Sequence, residues 1–142
     1  MKWLYWALGS AFFAALTAVF AKVGVRDTDA NLATAIRTGV ILIFTWSVVF
    51  ASGGAWSTLG ALDKKSWLWL ILSGLATGAS WLCYFHALRL GDVSRVAPVD
   101  KLSLVFVIVL AAVFLREKLS LRDYCGIALM VAGVVVLVGK KI

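Results

Sequence analysis

Two adjacent charges interrupt an apolar stretch in "RVAPVDKLSLVF", residues 95–106: Asp100 and Lys101, close behind Pro98. A third charge, Arg37, stands seven residues into another apolar stretch, "ANLATAIRTGVILIFTWSVVF". A carboxylate and a guanidinium held away from water can pair, gate a pathway or contact a charged solute, and an unpaired one is costly. Lys22 and His86 lie near the ends of two more apolar stretches. Lys22, Arg37, His86, Asp100 and Lys101 thus form a candidate polar cluster holding a single acid. For Lys22, His86 and Lys101 the competing reading is that long or amphipathic side chains reach the nearest aqueous boundary. Arg37 and Asp100 are deeper and read as substrate-contacting or gating residues.

Ser73, Thr77, Ser80 or Trp81, and Tyr84 recur at i, i+4, i+7/8 and i+11, which is one helical face. Ser10, Ala14, Thr17 and Ala21 repeat that spacing, and Thr34, Thr38 and Thr45 approximate it. Such stripes either line a hydrated cavity or bond neighbouring helices. Gly74 and Gly78 form a G-x-x-x-G pair, and Gly126, Ala132 and Gly133 supply small residues for a helix or dimer interface. Enzyme chemistry fails on geometry. "GAS" at 78–80 lacks the second glycine of an intramembrane serine protease motif, and the only histidine, His86, lies six residues past Ser80. Six residues turn about 120° away around a helix, which excludes a dyad. No metal-ligand spacing and no phosphate-cradling glycine loop occurs, so neither metal nor cofactor is expected.

These residues need elements to hold them, and composition decides the setting. The chain has 142 residues, 63% of them hydrophobic and 15% charged, with a mean hydropathy of +0.98. A soluble domain of this size cannot hide so much apolar surface. The +7 charge is not a nucleic-acid signature, because Lys and Arg flank apolar runs rather than sharing one solvated face. A hydrocarbon layer of roughly 30 Å asks for about 20 apolar residues per helix. Five segments qualify: 3–22, 30–52, 66–88, 93–115 and 120–138. The expected fold is an all-α integral membrane protein of five transmembrane helices, with nothing left for a soluble domain. Cys83 and Cys125 fall within spans and read as small buried apolar residues, not a disulfide.

Asp29, Ser66, Asp92 and Ser120 each precede an apolar run as N-caps do, and "SLRD" from Ser120 approximates a capping box. Trp56, in the glycine-rich loop between the second and third spans, suits the headgroup region. The first segment admits a second reading as a signal peptide, although its apolar run exceeds a typical signal core. Lys and Arg are balanced across the membrane. Six lie on the N-terminal side (Lys2, Lys64, Lys65, Arg116, Lys118, Arg122). Seven lie opposite (Lys22, Arg26, Arg37, Arg89, Arg95, Lys140, Lys141), or eight with Lys101. The positive-inside rule reads the difference, so the count permits insertion in both orientations and antiparallel pairing. Orientation set by one helix or by an insertion factor is the alternative.

"ALRLGDVSRVAPVDKLSLVFVIVLAAVFLREKLSLRDYCGIALMVAGVVVLV", residues 87–138, resembles the EamA domain of the drug/metabolite transporter superfamily. The likeness rests on A-L-x-x-G-D-x-S-x-V-A-P, then F-L-x-E-x-L-S, then G-x-x-L-x-x-x-G. "FAKVGVRDTDANLATAIRTGVIL" is similar to the first hairpin of the compact members, so the resemblance spans nearly the whole chain. It implies a carrier built from five-helix units, usually two in inverted orientation around a central cavity. This chain holds one such unit, residues 1–142, and by resemblance needs an inverted second copy. The small multidrug resistance relatives carry an essential glutamate in the first helix. Residues 1–22 contain no acid, so proton coupling would fall to Asp100 or His86, or be absent.

The expectation is therefore an inner-membrane carrier, an antiparallel homodimer moving a small organic solute by alternating access. Arg37, Asp100, Lys101 and His86 would contact solute or gate it, while Thr77, Ser80, Trp81 and Tyr84 line the path. The cationic excess favours a solute bearing a carboxylate. A flippase for a lipid-linked substrate and a non-transporting membrane assembly subunit are the rivals.

Overall fold

A computed structural model of the chain describes residues 2–53, 58–116 and 119–139. Trp56 lies outside the described residues. Helices account for the described secondary structure: α1 Lys2–Val25, α2 Ala30–Ala51, α3 Lys64–Leu90, α4 Val93–Asp100, α5 Ser103–Phe114 and α6 Leu121–Val138. Among the described residues five helical stretches are long and apolar enough to cross a membrane, with α4 and α5 together, Val93–Phe114, serving as one.

Local chemistry explains the helix starts. Asp29 caps α2, its Oδ1 accepting from the Asn31 and Leu32 N–H groups at 2.9 and 3.1 Å. Ser120 and Asp123 complete a reciprocal capping box on α6. Asp92 takes the cap position of α4 in extended conformation, without a side-chain bond. The third span departs from expectation. It begins at Lys64 because Asp63, not Ser66, is the acceptor, taking the Ser66 N–H at 3.0 Å. A carboxylate is the stronger acceptor and complements the positive end of the helix dipole. At the C-terminus of α2 the chain turns through Gly53 at φ 66°, the left-handed conformation that favours glycine.

The fourth span is discontinuous. Pro98 offers no N–H, so the Ser94 carbonyl lacks its α-helical donor. The ladder then tightens. Lys101 N–H is shared by the Ala97 and Pro98 carbonyls at 3.3 and 3.1 Å, and Leu102 N–H reaches Val99 at 3.0 Å. Three-residue bonds continue from Leu104 to Lys101 and from Val105 to Leu102. These bonds keep their N–H groups satisfied through the break, which a low-dielectric setting requires.

The chain forms two compact units, residues 1–90 and 91–142. In the first, α1, α2 and α3 pack on one another. Its buried residues are Ala18, Ala21 and Val25 of α1, Ala30 and Thr34 of α2, and Phe85 and Leu88 of α3. All seven lie at one end, where α1 finishes, α2 starts and α3 finishes. The opposite end turns Trp3, Trp6, Phe50, Trp67 and Trp69 outward, as interfacial aromatic side chains do. In the second unit α4 packs on α6, and Val134 is buried. Cys83 and Cys125, expected to be buried, are free and exposed. On a lipid-solvated helix a small apolar side chain can face hydrocarbon at no cost, so burial is not required of it.

Candidate functional site

Arg37 projects from α2 near the packed end of the first unit. Its guanidinium lies over the Trp81 ring, 4.2 Å from the centroid, and 5.5 Å from that of Phe85. Trp81 and Phe85 are one helical turn apart on α3 and share a face, so the cation rests along an aromatic track. Among the described residues of this unit, no carboxylate pairs with Arg37.

A cavity of about 370 Å³ opens beside it. Thr17, Phe20, Ala21 and Gly24 of α1 form one wall, and Ala33, Ile36 and Arg37 of α2 the other. Thr28 of the connecting loop and Phe85 of α3 complete the lining. Among the described residues Arg37 is the only charged side chain lining it, and Thr17 and Thr28 bring the only side-chain hydroxyls. The volume falls in the range of small-molecule sites, roughly 300–1,000 Å³.

Polar contacts lock the unit where the three helices meet. Lys22 Nζ donates to the Leu88 carbonyl at 2.6 Å, satisfying one of the acceptors left open at a helix C-terminus. Arg89 pairs with Asp29 at 3.7 Å. His86 Nδ1 is 2.9 Å from the Leu82 carbonyl of its own helix. The carboxyl of Asp29 is held below its ordinary value, chiefly by the Leu32 N–H, with further help from the Asn31 N–H, Arg89 and His86. Lys22 therefore ties α1 to α3, a role neither reading of the sequence anticipated.

In the second unit Asp100 is joined by Lys101 at 3.4 Å, immediately before the break between α4 and α5. Lys101 is a member of the polar cluster expected around this single acid. The α3 stripe divides: Trp81 and Tyr84 are half-buried, whereas Ser73, Thr77 and Ser80 are exposed. Thr77 Oγ1 donates to the Ser73 carbonyl at 2.8 Å, and Thr34, Thr38 and Thr45 bond back along α2 in the same way. A Cβ added to Gly74, Gly78, Gly126 or Gly133 would meet nothing within 4 Å, and Ala132 is exposed. These small residues are thus open surface. Gly126 also lines a groove between α5 and α6, with Val107, Ala111, Arg122 and Met130. Among the described residues no cluster of three metal-ligating side chains occurs. Phe20, Gly24, Thr28, Ala33 and Ile36 were not singled out by sequence. Phe85 falls outside the polar stripe of α3, and its signal is its one-turn spacing from Trp81.

The model of the EamA-like transporter family matches residues 1–139. The chain belongs to this family. A protein of Sinorhizobium sp, "Uncharacterized transporter in cobO 3'region", is 54% identical over 136 residues, 96% of each chain. A probable 4-amino-4-deoxy-L-arabinose-phosphoundecaprenol flippase subunit, ArnE of Pseudomonas aeruginosa (strain UCBPP-PA14), is 33% identical over 112 residues, 75% of this chain and 91% of that one. The uncharacterized transporter YxxF of Bacillus subtilis (strain 168) is 27% identical over 131 residues, 92% of this chain but 40% of its own length. No solved structure is a significant match. Family and five apolar helices together make this EamA-like chain a multi-pass protein of the bacterial inner membrane.

Proposed function

We propose that the chain is one EamA-like unit, residues 1–142, of a carrier that works by alternating access as an antiparallel homodimer and moves a small organic solute. The observation that carries this reading is the α1–α2 cavity, with Arg37 steadied over Trp81 and Phe85 at its wall. A cation beside a space of about 370 Å³, without a carboxylate partner among the described residues of its unit, suits a bound solute better than a purely structural role. Pairing is supported by the near-balance of Lys and Arg across the membrane, by open glycines on α3 and α6, and by the chain's match to less than half of YxxF. The family match and the transporter-named relatives favour transport over catalysis.

The test is flux into sealed proteoliposomes, screened across anionic, neutral and cationic solutes with and without a pH gradient. Single cysteines along residues 73–85, with Cys83 and Cys125 replaced by alanine, map the pathway by labelling with a membrane-impermeant thiol reagent. Labelling that recurs at 73, 77, 80/81 and 84, and falls when a transported solute is present, is expected. No flux for any class, with no protected position, rejects the carrier.

A second reading is favoured by the ArnE likeness: the chain is a flippase subunit whose substrate is lipid-linked. Translocation of a polyprenyl-phosphate-linked substrate between leaflets, without flux of free solutes, selects it.

A further inference from the structure

We infer that the α1–α2 cavity binds an organic anion, a carboxylate or phosphate joined to an apolar body. The charge lies on Arg37 and the apolar part lies beside Phe20, Ile36 and Phe85. This inference rests on reading that cavity as the solute site.

The lining sets the sign of the ligand. Among the described residues Arg37 is the only charged group along it, so a cationic ligand meets repulsion that no acid of this lining offsets. Stacking sets the geometry. With one face of the guanidinium taken by Trp81 at 4.2 Å, the N–H donors still point outward in the plane of the group. That planar edge matches the two oxygens of a carboxylate or phosphate. Among the described residues, Arg37 makes neither an ion pair nor a hydrogen bond that would occupy it. The remaining wall sets the body of the ligand. Two hydroxyls, on Thr17 and Thr28, face six apolar residues. A sugar buried here would leave most of its own hydroxyls unpaired, which is costly, whereas an aromatic or alkyl group would not. The same anionic chemistry is offered by a free organic acid and by the phosphate of a lipid-linked molecule.

Isothermal titration calorimetry on the full chain in phosphatidylcholine nanodiscs tests this. The probes share one phenyl body: phenylacetate, phenyl phosphate, 2-phenylethanol and phenethylamine. Both anions are expected to bind at least about tenfold tighter than the alcohol, the scale of a charge-assisted bond, and the amine more weakly still. Arg37→Gln should bring the anions down to the affinity of the alcohol. Gly24→Leu tests the space without touching the charge. Gly24 lines the cavity, and a side chain there enters open space, since a Cβ meets nothing within 4 Å. It should weaken all phenyl probes together, and it carries the test alone should Arg37→Gln fail to fold. Polyprenyl phosphate, but not polyprenol, displacing phenyl phosphate assigns the site to a lipid headgroup; displacement by neither assigns it to a free acid. Anions bound no tighter than the alcohol, or anion binding that survives Gly24→Leu, overturns the inference. Anion binding without flux leaves the inference standing and removes the carrier. Flux limited to cations or neutral solutes, without anion binding, does the reverse.

Discussion

Replacing Trp81 with leucine removes the ring beneath Arg37 while keeping an apolar side chain of helix-forming type on α3. The guanidinium sits 4.2 Å from the centroid of that ring, well inside the range in which the ring quadrupole attracts a cation. Such pairs contribute about 0.5–1 kcal/mol when exposed and about 2 kcal/mol when desolvated. Arg37 is half-buried, so a coupling of about 1 kcal/mol is expected, or roughly fivefold in an equilibrium constant. The Phe85 centroid, at 5.5 Å, is near the outer limit and contributes less. A double-mutant cycle isolates the pair from packing losses. Arg37→Met keeps the apolar stem, Trp81→Leu removes the ring, and unfolding of all four proteins is followed by circular dichroism in detergent. A coupling below about 0.3 kcal/mol, the level at which independent sites simply add, would refute the stacked arrangement. The same arrangement makes Trp81→Phe milder than Trp81→Leu for anion affinity, because a phenyl ring retains part of the quadrupole.

Asp29 has its carboxyl held below the ordinary 3.8, so its contribution is complete above that value and is lost as pH falls through the lowered one; Asp29→Asn, which still caps, should flatten the acid limb of thermal stability. Asp100 and Lys101 should be coupled, so that Asp100→Asn with Lys101→Gln costs less stability and transport than the two singles summed; strict additivity would dismiss the pair. Gly53→Ala should lower stability by about 1 kcal/mol, because only glycine enters the left-handed region freely, and Gly53→Asn should lower it less. A compartment-sensitive reporter after Ile142 should give both cytoplasmic and periplasmic signal, and two or three added lysines on one side should leave only one.

Where the sequence was legible, a single residue type settled the matter. Twenty-residue apolar runs announce spans because hydrocarbon thickness leaves little choice. Asp29 and Ser120 announce caps because their side chains reach their own backbone. Ser66 misled because Asp63, three residues earlier, caps the helix first, accepting the Ser66 N–H with a full charge. The break that follows Pro98 was not read from the sequence, where residues 93–115 form one uninterrupted span. A proline orphans the carbonyl four residues before it, whereas the tightened turn lies after it, at Lys101 and Leu102. The Lys22 bond to Leu88 was invisible because its acceptor is a main-chain atom, which every residue type offers equally. Arg37 was found by depth alone. An acid was the partner sought, and the aromatic track that holds it lies 44 and 48 positions away in the chain, at Trp81 and Phe85.

The hydroxyl stripes show which polar residues in a span carry information. Thr34, Thr38, Thr45, Ser47 and Thr77 each donate to the carbonyl four residues back, at 2.7 to 2.8 Å. That acceptor exists in every helix, so a hydroxyl can face lipid, protein or water without an unmet donor. Its spacing along a face therefore does not distinguish a pathway from a lipid-facing surface. A guanidinium differs, because five donors and a full charge cannot be satisfied by one turn of its own helix. Its position must be provided for by other elements, here by Trp81 and Phe85 of α3 and by the open space between α1 and α2. The case for a solute site consequently rests on Arg37 and its surroundings. The α3 hydroxyls belong to the pathway only so far as labelling ties them to it.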